Sequence, residues 1–195
     1  IPIKSDLKIF KGKIFFIDQD NSVVCISTTN GSKLWDNLSI SSFIKSQNLL
    51  TLAISKNGYL LILNSSADLY RLDPNTGDIY WHANTLASML PDATDFFTSS
   101  HVVINDDQIF FSAGSTFFSY DLESGLMNWE NEVSSIGTPI IVGDNIFLNT
   151  KNGFYVIMKK NTGKIISSNN ILEILKKSKR ETKITGFIMG SGKVY

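Results

Sequence analysis

The chain has 195 residues, with 18 basic and 18 acidic side chains and 43% apolar content. That balance excludes a disordered tail and any global pull toward nucleic acid, and a chain this long can bury a core without staples. No apolar run reaches the ~18 residues of a membrane-spanning helix, and a single cysteine cannot form an internal disulfide or fix the redox compartment.

The opening IPIKSDLKIF carries no signal core and GSGKVY stops inside an apolar run, so both ends read as those of a piece cut from a longer protein, any targeting segment lost. Between them a pattern repeats. In the first copy, short apolar runs predict strands at about 6–10, 13–17, 22–27 and 33–37; in the second, at about 49–55, 58–63, 67–72 and 78–82. The third copy places them at about 101–105, 108–112, 116–121 and 126–130, and the fourth at about 138–142, 145–149, 153–158 and 164–168. A fifth copy opens with a strand at about 184–189 and is not completed. The runs are rich in Ile, Phe and Tyr, which suit a pleated surface, and Gly, Asn, Asp and Ser bound them.

Two features keep the copies in register. A small polar residue followed by glycine recurs as Asn30-Gly31, Thr76-Gly77, Ser124-Gly125 and Thr162-Gly163, with glycine spacings of 46, 48 and 38 residues. Four residues beyond the first three glycines stand Trp35, Trp81 and Trp129, all the tryptophans of the chain, while Ser167 holds that place in the fourth copy. First and second strands join at Lys11-Gly12, Asn57-Gly58, Asp106-Asp107, Gly143-Asp144 and Ser191-Gly192, pairs that tolerate the positive φ of two-residue hairpin loops. The recurrent glycine does the same between third and fourth strands.

A four-stranded antiparallel unit repeating every ~40–45 residues is the signature of a β-propeller blade. The expected fold is all-β, a partial propeller forming a single domain over 1–195. Its blades are placed at about 6–38, 48–84, 100–133 and 138–168, with the start of a fifth at about 184–195. The repeated tryptophan is expected to wedge the outer strand of one blade against its neighbour.

No catalytic or metal residue, and no cofactor-binding residue, is predicted. Cys25 lies on a third strand and reads as a buried core thiol. His82 follows the repeat tryptophan and reads as an exposed strand residue; with His101 it lacks the partners of a zinc site. No P-loop, G-x-S-x-G or H-E-x-x-H string occurs. Charge is segregated: residues 72–150 hold 11 acidic residues and no Lys or Arg, whereas 151–195 hold 10 basic residues. The acids serve as solvated turn residues or as a docking surface that steers a partner. The long 85–98 connection carries Leu86, Met89, Leu90, Phe96 and Phe97, which either pack back on the rim or anchor a partner. Leu90, Asp92, Asp95 and Phe96 are the candidate partner-binding residues. In the 167–182 connection Ile171, Ile174 and Leu175 stand at helical spacing before a basic run.

The string D-x-x-(T/S)-G-x-x-x-W, present as DPNTGDIYW (73–81) and DLESGLMNW (121–129), resembles the pyrroloquinoline-quinone-type propeller repeat. ISTTNGSKLW (26–35) is a weaker copy with Ser27 in the Asp place, and the last copy has Lys159 and Ser167 in the Asp and Trp places. Within that family the chain is most similar to the BamB branch, through TPIIVGDNIFLNTKNGFYVI (138–157) and ITGFIMGSGKVY (184–195). The resemblance implies an eight-bladed ring of which about four and a half blades are present. It also implies a non-enzymatic lipoprotein scaffold at the periplasmic face of a Gram-negative outer membrane. The implied partner is the barrel-assembly subunit with other members of its complex, with no nucleic acid and with membrane contact only through a lipid anchor absent from this piece. The alternative is a fragment of a quinone-dependent dehydrogenase; that branch has a vicinal cysteine pair over its cofactor, and here only Cys25 exists.

Overall fold

The computed structural model describes residues 2–37, 50–85, 99–135, 137–175, 184 and 186–195. Four sheets of four antiparallel strands dominate it, each sheet ordered as its strands follow in the chain. The first contains β1 (Lys8–Phe10), β2 (Lys13–Ile17), β3 (Val23–Ser27) and β4 (Lys33–Asn37), and the second β5 (Thr51–Ile54), β6 (Leu60–Leu63), β7 (Asp68–Leu72) and β8 (Ile79–Asn84). The third contains β9 (Val103–Asn105), β10 (Gln108–Ala113), β11 (Thr116–Asp121) and β12 (Met127–Asn131). The fourth contains β13 (Ile140–Val142), β14 (Asn145–Asn149), β15 (Phe154–Lys159) and β16 (Ile165–Asn170). The fold is therefore all-β and built of propeller blades, a partial propeller.

The chain divides into two compact units, Ile1–Phe97 with Leu122–Leu126, and Thr98–Asp121 with Met127–Tyr195. In the first unit Phe15, Ile17, Val23 and Cys25 of one blade pack on Leu50, Leu52, Leu60, Ile62 and Leu72 of the next. In the second, Phe110 and Phe117 pack on Ile146, Leu148, Val156 and Met158. A blade's middle strands are covered on both faces, which is why Leu60–Leu63 is apolar at every position and buried throughout. The fourth strands are sheet edges, and their burial falls accordingly.

Turn chemistry follows the sequence with one difference. Lys11-Gly12 and Ser191-Gly192 hold positive φ at both positions, as a type I′ turn requires, and Asp106-Asp107 and Gly143-Asp144 hold it at the first position, as type II′ does. At Asn57-Gly58 only the glycine does, and the Gly58 N–H donates to the Ser55 carbonyl at 2.9 Å. That turn is longer than a two-residue loop, because Ser55 also uses its hydroxyl to accept the Tyr59 N–H. Between second and third strands one device recurs. Asp18 Oδ1 accepts the N–H groups of Asp20 and Ser22, Asn64 Oδ1 those of Ser66 and Asp68, and Thr150 Oγ1 that of Phe154.

The helical spacing after the fourth blade gives α1 (Ile171–Leu175). Asn170 caps it, its Oδ1 accepting the Glu173 N–H at 3.2 Å. The fifth copy is a short hairpin, β17 (Met189–Gly190) with β18 (Lys193–Val194). Of the strand expected over 184–189, the described pairing covers Ile188, which exchanges backbone hydrogen bonds with Tyr195, and Met189–Gly190.

Candidate partner-binding surface

The repeated tryptophan latches a fourth strand to the next third-to-fourth hairpin. The indole Nε1–H of Trp35 donates to the Pro74 carbonyl at 3.2 Å, that of Trp81 to Leu122 at 3.3 Å, and that of Trp129 to Lys160 at 2.9 Å. Each acceptor stands three residues before a repeat glycine. Two residues past the tryptophan, Asn37 and Asn131 donate their side-chain amides to the carbonyls of Gly77 and Gly163. The glycine is required twice over: it holds positive φ, and a Cβ on Gly77, Gly125 or Gly163 would lie 2.6, 2.5 or 2.5 Å from the indole.

A β-bulge aims each tryptophan. In all four blades the third-to-fourth register shifts one residue after the cross-strand partner of the Trp position, at Cys25/Ile26, Arg71/Leu72, Ser119/Tyr120 and Ile157/Met158. The extra residue of the fourth strand is Leu34, Tyr80, Asn128 or Ile166; the three apolar ones are exposed. Among the described residues each fourth strand thus has no further strand paired to it, and in three of four copies its bulge residue is apolar and exposed.

Arg71 is a buried cation of the first unit. Its guanidinium lies 3.7 Å from the Tyr59 ring centroid and 5.0 Å from that of Tyr80. One nitrogen donates to the Glu123 carbonyl at 2.9 Å and meets its carboxylate at 3.2 Å. Beside it the Tyr80 hydroxyl donates to Asp73, and the Asn75 N–H and that hydroxyl together hold the Asp73 carboxyl below its ordinary range. In the second unit Lys160 reaches Asp106 at 3.0 Å. The acidic stretch is thus not uncompensated: bases flanking it in sequence, Arg71 and Lys160, neutralise Glu123 and Asp106. Sequence reading missed this because those partners lie 52 and 54 residues apart.

Leu90, Asp92, Asp95 and Phe96 lie outside the described residues, as do Leu86, Met89 and Phe97. Gly31, Trp35, Gly77, Trp81, Gly125, Trp129 and Gly163 all fall in or beside the latches. Cys25 is buried, and burial pushes its thiol up to about 11. His82 is exposed and stacks on Tyr70 at 5.6 Å. Among the described residues no three His, Cys, Asp or Glu side chains converge as metal ligands, and no helix is long and apolar enough to cross a membrane.

Repeated four-stranded blades with tryptophan latches define a propeller repeat protein. The family profile described as outer membrane protein assembly factor BamB matches residues 2–169, and the chain belongs to that family. Among solved structures it is similar to BamB from Moraxella catarrhalis, with TM-score 0.71 and 14% identity over 87% of this chain and 53% of that one. It is also similar to quinohemoprotein alcohol dehydrogenase from Comamonas testosteroni, with TM-score 0.67 and 13% identity over 86% of this chain and 35% of that one. A europium-containing methanol dehydrogenase gives TM-score 0.62 and 15% identity, over 85% of this chain and 41% of that one. At such identities these likenesses speak for the fold alone, and the chain spans about half the length of the BamB structure or less of the others. None of the curated proteins matches the sequence significantly.

Proposed function

We propose that the chain is part of a non-enzymatic scaffold of the outer-membrane β-barrel assembly machinery, working at the periplasmic face of that membrane. The observation that carries this reading is the family match over residues 2–169. In this reading the blades are a rigid frame, and partner contact is made by loops and edges. The 85–98 connection supplies apolar anchors in Leu90 and Phe96, with Asp92 and Asp95 steering the approach. The outer strands β4, β8 and β16, with Leu34, Tyr80 and Ile166 exposed, suit addition of a partner strand. The partner is the barrel-assembly subunit. The test is binding of the complete protein, immobilised, to that purified subunit: saturable binding supports the reading, and its absence at all salt concentrations refutes it.

Likeness to the alcohol dehydrogenase favours a second reading, a piece of a quinone-dependent dehydrogenase. The described residues do not fit it well: the single thiol is buried and no carboxylate cluster forms a cation site. Incubating the complete protein with pyrroloquinoline quinone and calcium, then assaying alcohol-dependent dye reduction, separates the two readings.

A further inference from the structure

A buried amide stands in the fourth blade where the first two blades keep a hydrocarbon. Ile17 and Leu63 directly precede the turn residues Asp18 and Asn64, and each is 1% exposed. Asn149 precedes Thr150 in the same way, is equally buried, and lies across the sheet from Tyr155. Among the described residues neither its Oδ1 nor its Nδ2 has a hydrogen-bond partner. An amide buried with both ends unpaired is costly, and folded proteins pair such groups with protein or with ordered water. The third blade shows pairing with protein: Ser112, buried as well, accepts the Ser135 N–H at 2.8 Å. Room for a partner lies beside the Asn149 carbonyl. A Cβ on Gly137 would come 3.1 Å from Asn149 Oδ1 and, its chain neighbours aside, would meet no other atom of the described residues within 4 Å. Gly137 does not hold positive φ, so its backbone would accept alanine, and what the glycine provides is space beside a polar atom. Ser135 fixes that glycine against the strand end: it bridges to Thr150, and its hydroxyl donates to the Gly137 carbonyl at 3.0 Å.

We propose that Asn149 and Gly137 form an internal water site, in which an ordered water donates to Asn149 Oδ1 in the space beside the glycine. An internal water needs a polar site, room, and at least two groups to bond. Asn149 offers an acceptor and a donor together, and the missing side chain of Gly137 offers the room. Asn149 is already covered within this chain, so the occupant must be small. The site belongs to the frame of the fourth blade and does not depend on the identity of any partner.

The test is a high-resolution crystal structure of the complete protein, with thermal unfolding of variants beside it. A fully occupied solvent peak about 2.7–3.0 Å from Asn149 Oδ1 is expected. Gly137→Ala is expected to remove that peak and lower the thermal midpoint, although alanine for glycine on unstrained backbone ordinarily raises it. Adding Asn149→Leu, the residue type of the second blade, is expected to bring the midpoint back to that of the parent or above, because no polar group then needs pairing. A protein atom bonded to Oδ1, an empty space there, or a peak at the roughly 2.3–2.6 Å of a coordinated calcium ion overturns the proposal. So does a midpoint that Gly137→Ala raises. The parent crystal structure identifies the occupant even where a variant fails to fold.

Discussion

Asp68 sits in the polar turn of the second blade with one carboxylate oxygen buried and lacking any hydrogen-bond partner. Burial raises its carboxyl above the ordinary value, and the Asn64 amide and His82 only partly oppose this. A raised carboxylate means the folded state holds its proton more tightly, so the ionised form costs stability above the folded pKa. Stability gained on protonation grows as pH falls through that value toward the unfolded pKa of about 3.9. Asp68→Asn is therefore expected to raise the thermal midpoint at pH 7, by an amount that shrinks as the pH is lowered. A fall at pH 7 would mean the Asn64 contact outweighs burial. Cys25 is simpler. A thiol pushed from 9.0 to about 11 is almost wholly protonated at pH 8 and is also covered. Relative to an ordinary thiol the thiolate is about a hundredfold scarcer. A polar thiol reagent should label it no faster than the chain unfolds; rapid native-state labelling would contradict the packing.

The blade's elements can be tested against one another, because the repeat glycine meets an indole at Gly77, Gly125 and Gly163, whereas among the described residues nothing lies against Gly31. Trp129 packs its ring, tilted, against Phe110 and Phe117 at centroid distances of 6.1 and 5.9 Å, and donates to the Lys160 carbonyl. Trp129→Ala should cost about 3–5 kcal/mol, the range for removing a packed large aromatic. Gly163→Ala should approach that cost, since its methyl would displace the indole as well as strain the backbone. Gly31→Ala meets only the strain of positive φ, about 1 kcal/mol. Urea denaturation of the three variants reads the difference; equal costs for the two glycine substitutions would show that backbone conformation alone selects glycine. Strands and hairpins were legible in the sequence because each run is short, apolar and closed by a residue suited to its turn. β2, β4, β11 and β14 begin and end where the pattern placed them. The bulge was not legible, because Tyr80 and Ile166 look like ordinary strand residues until their partners are paired. Nor was the role of Arg71, whose carboxylate is remote in sequence and whose position corresponds to Cys25, Ser119 and Ile157 in the other copies.

Across the whole molecule, the acidic region between Arg71 and Lys151 divides by role once the geometry is known. Asp73 and Asp78 are spent on the turn of the second blade, Glu123 on Arg71 and Asp106 on Lys160. Asp92 and Asp95 differ in lying between Leu90 and Phe96 in a connection longer than a simple crossing needs. Apolar centre and acidic neighbours act on different steps of association. In the proposed interface Leu90 and Phe96 are the anchors that would hold a formed complex, so replacing both with Ala should raise the dissociation rate and leave association nearly unchanged. The charges act before contact, over about one Debye length, ~8–10 Å at physiological salt. Asp92→Asn with Asp95→Asn should therefore slow association and flatten its dependence on ionic strength while the dissociation rate stays close to that of the parent. The measurement is stopped-flow or surface-based kinetics of the complete protein with the purified barrel-assembly subunit across a salt series. A loop that only packs on the blade rim predicts the opposite pattern, with unfolding shifted by Leu90→Ala and Phe96→Ala and both rate constants unmoved. Unchanged kinetics in both variants would take the 85–98 connection out of the interface and turn attention to the basic 167–182 connection, where α1 begins.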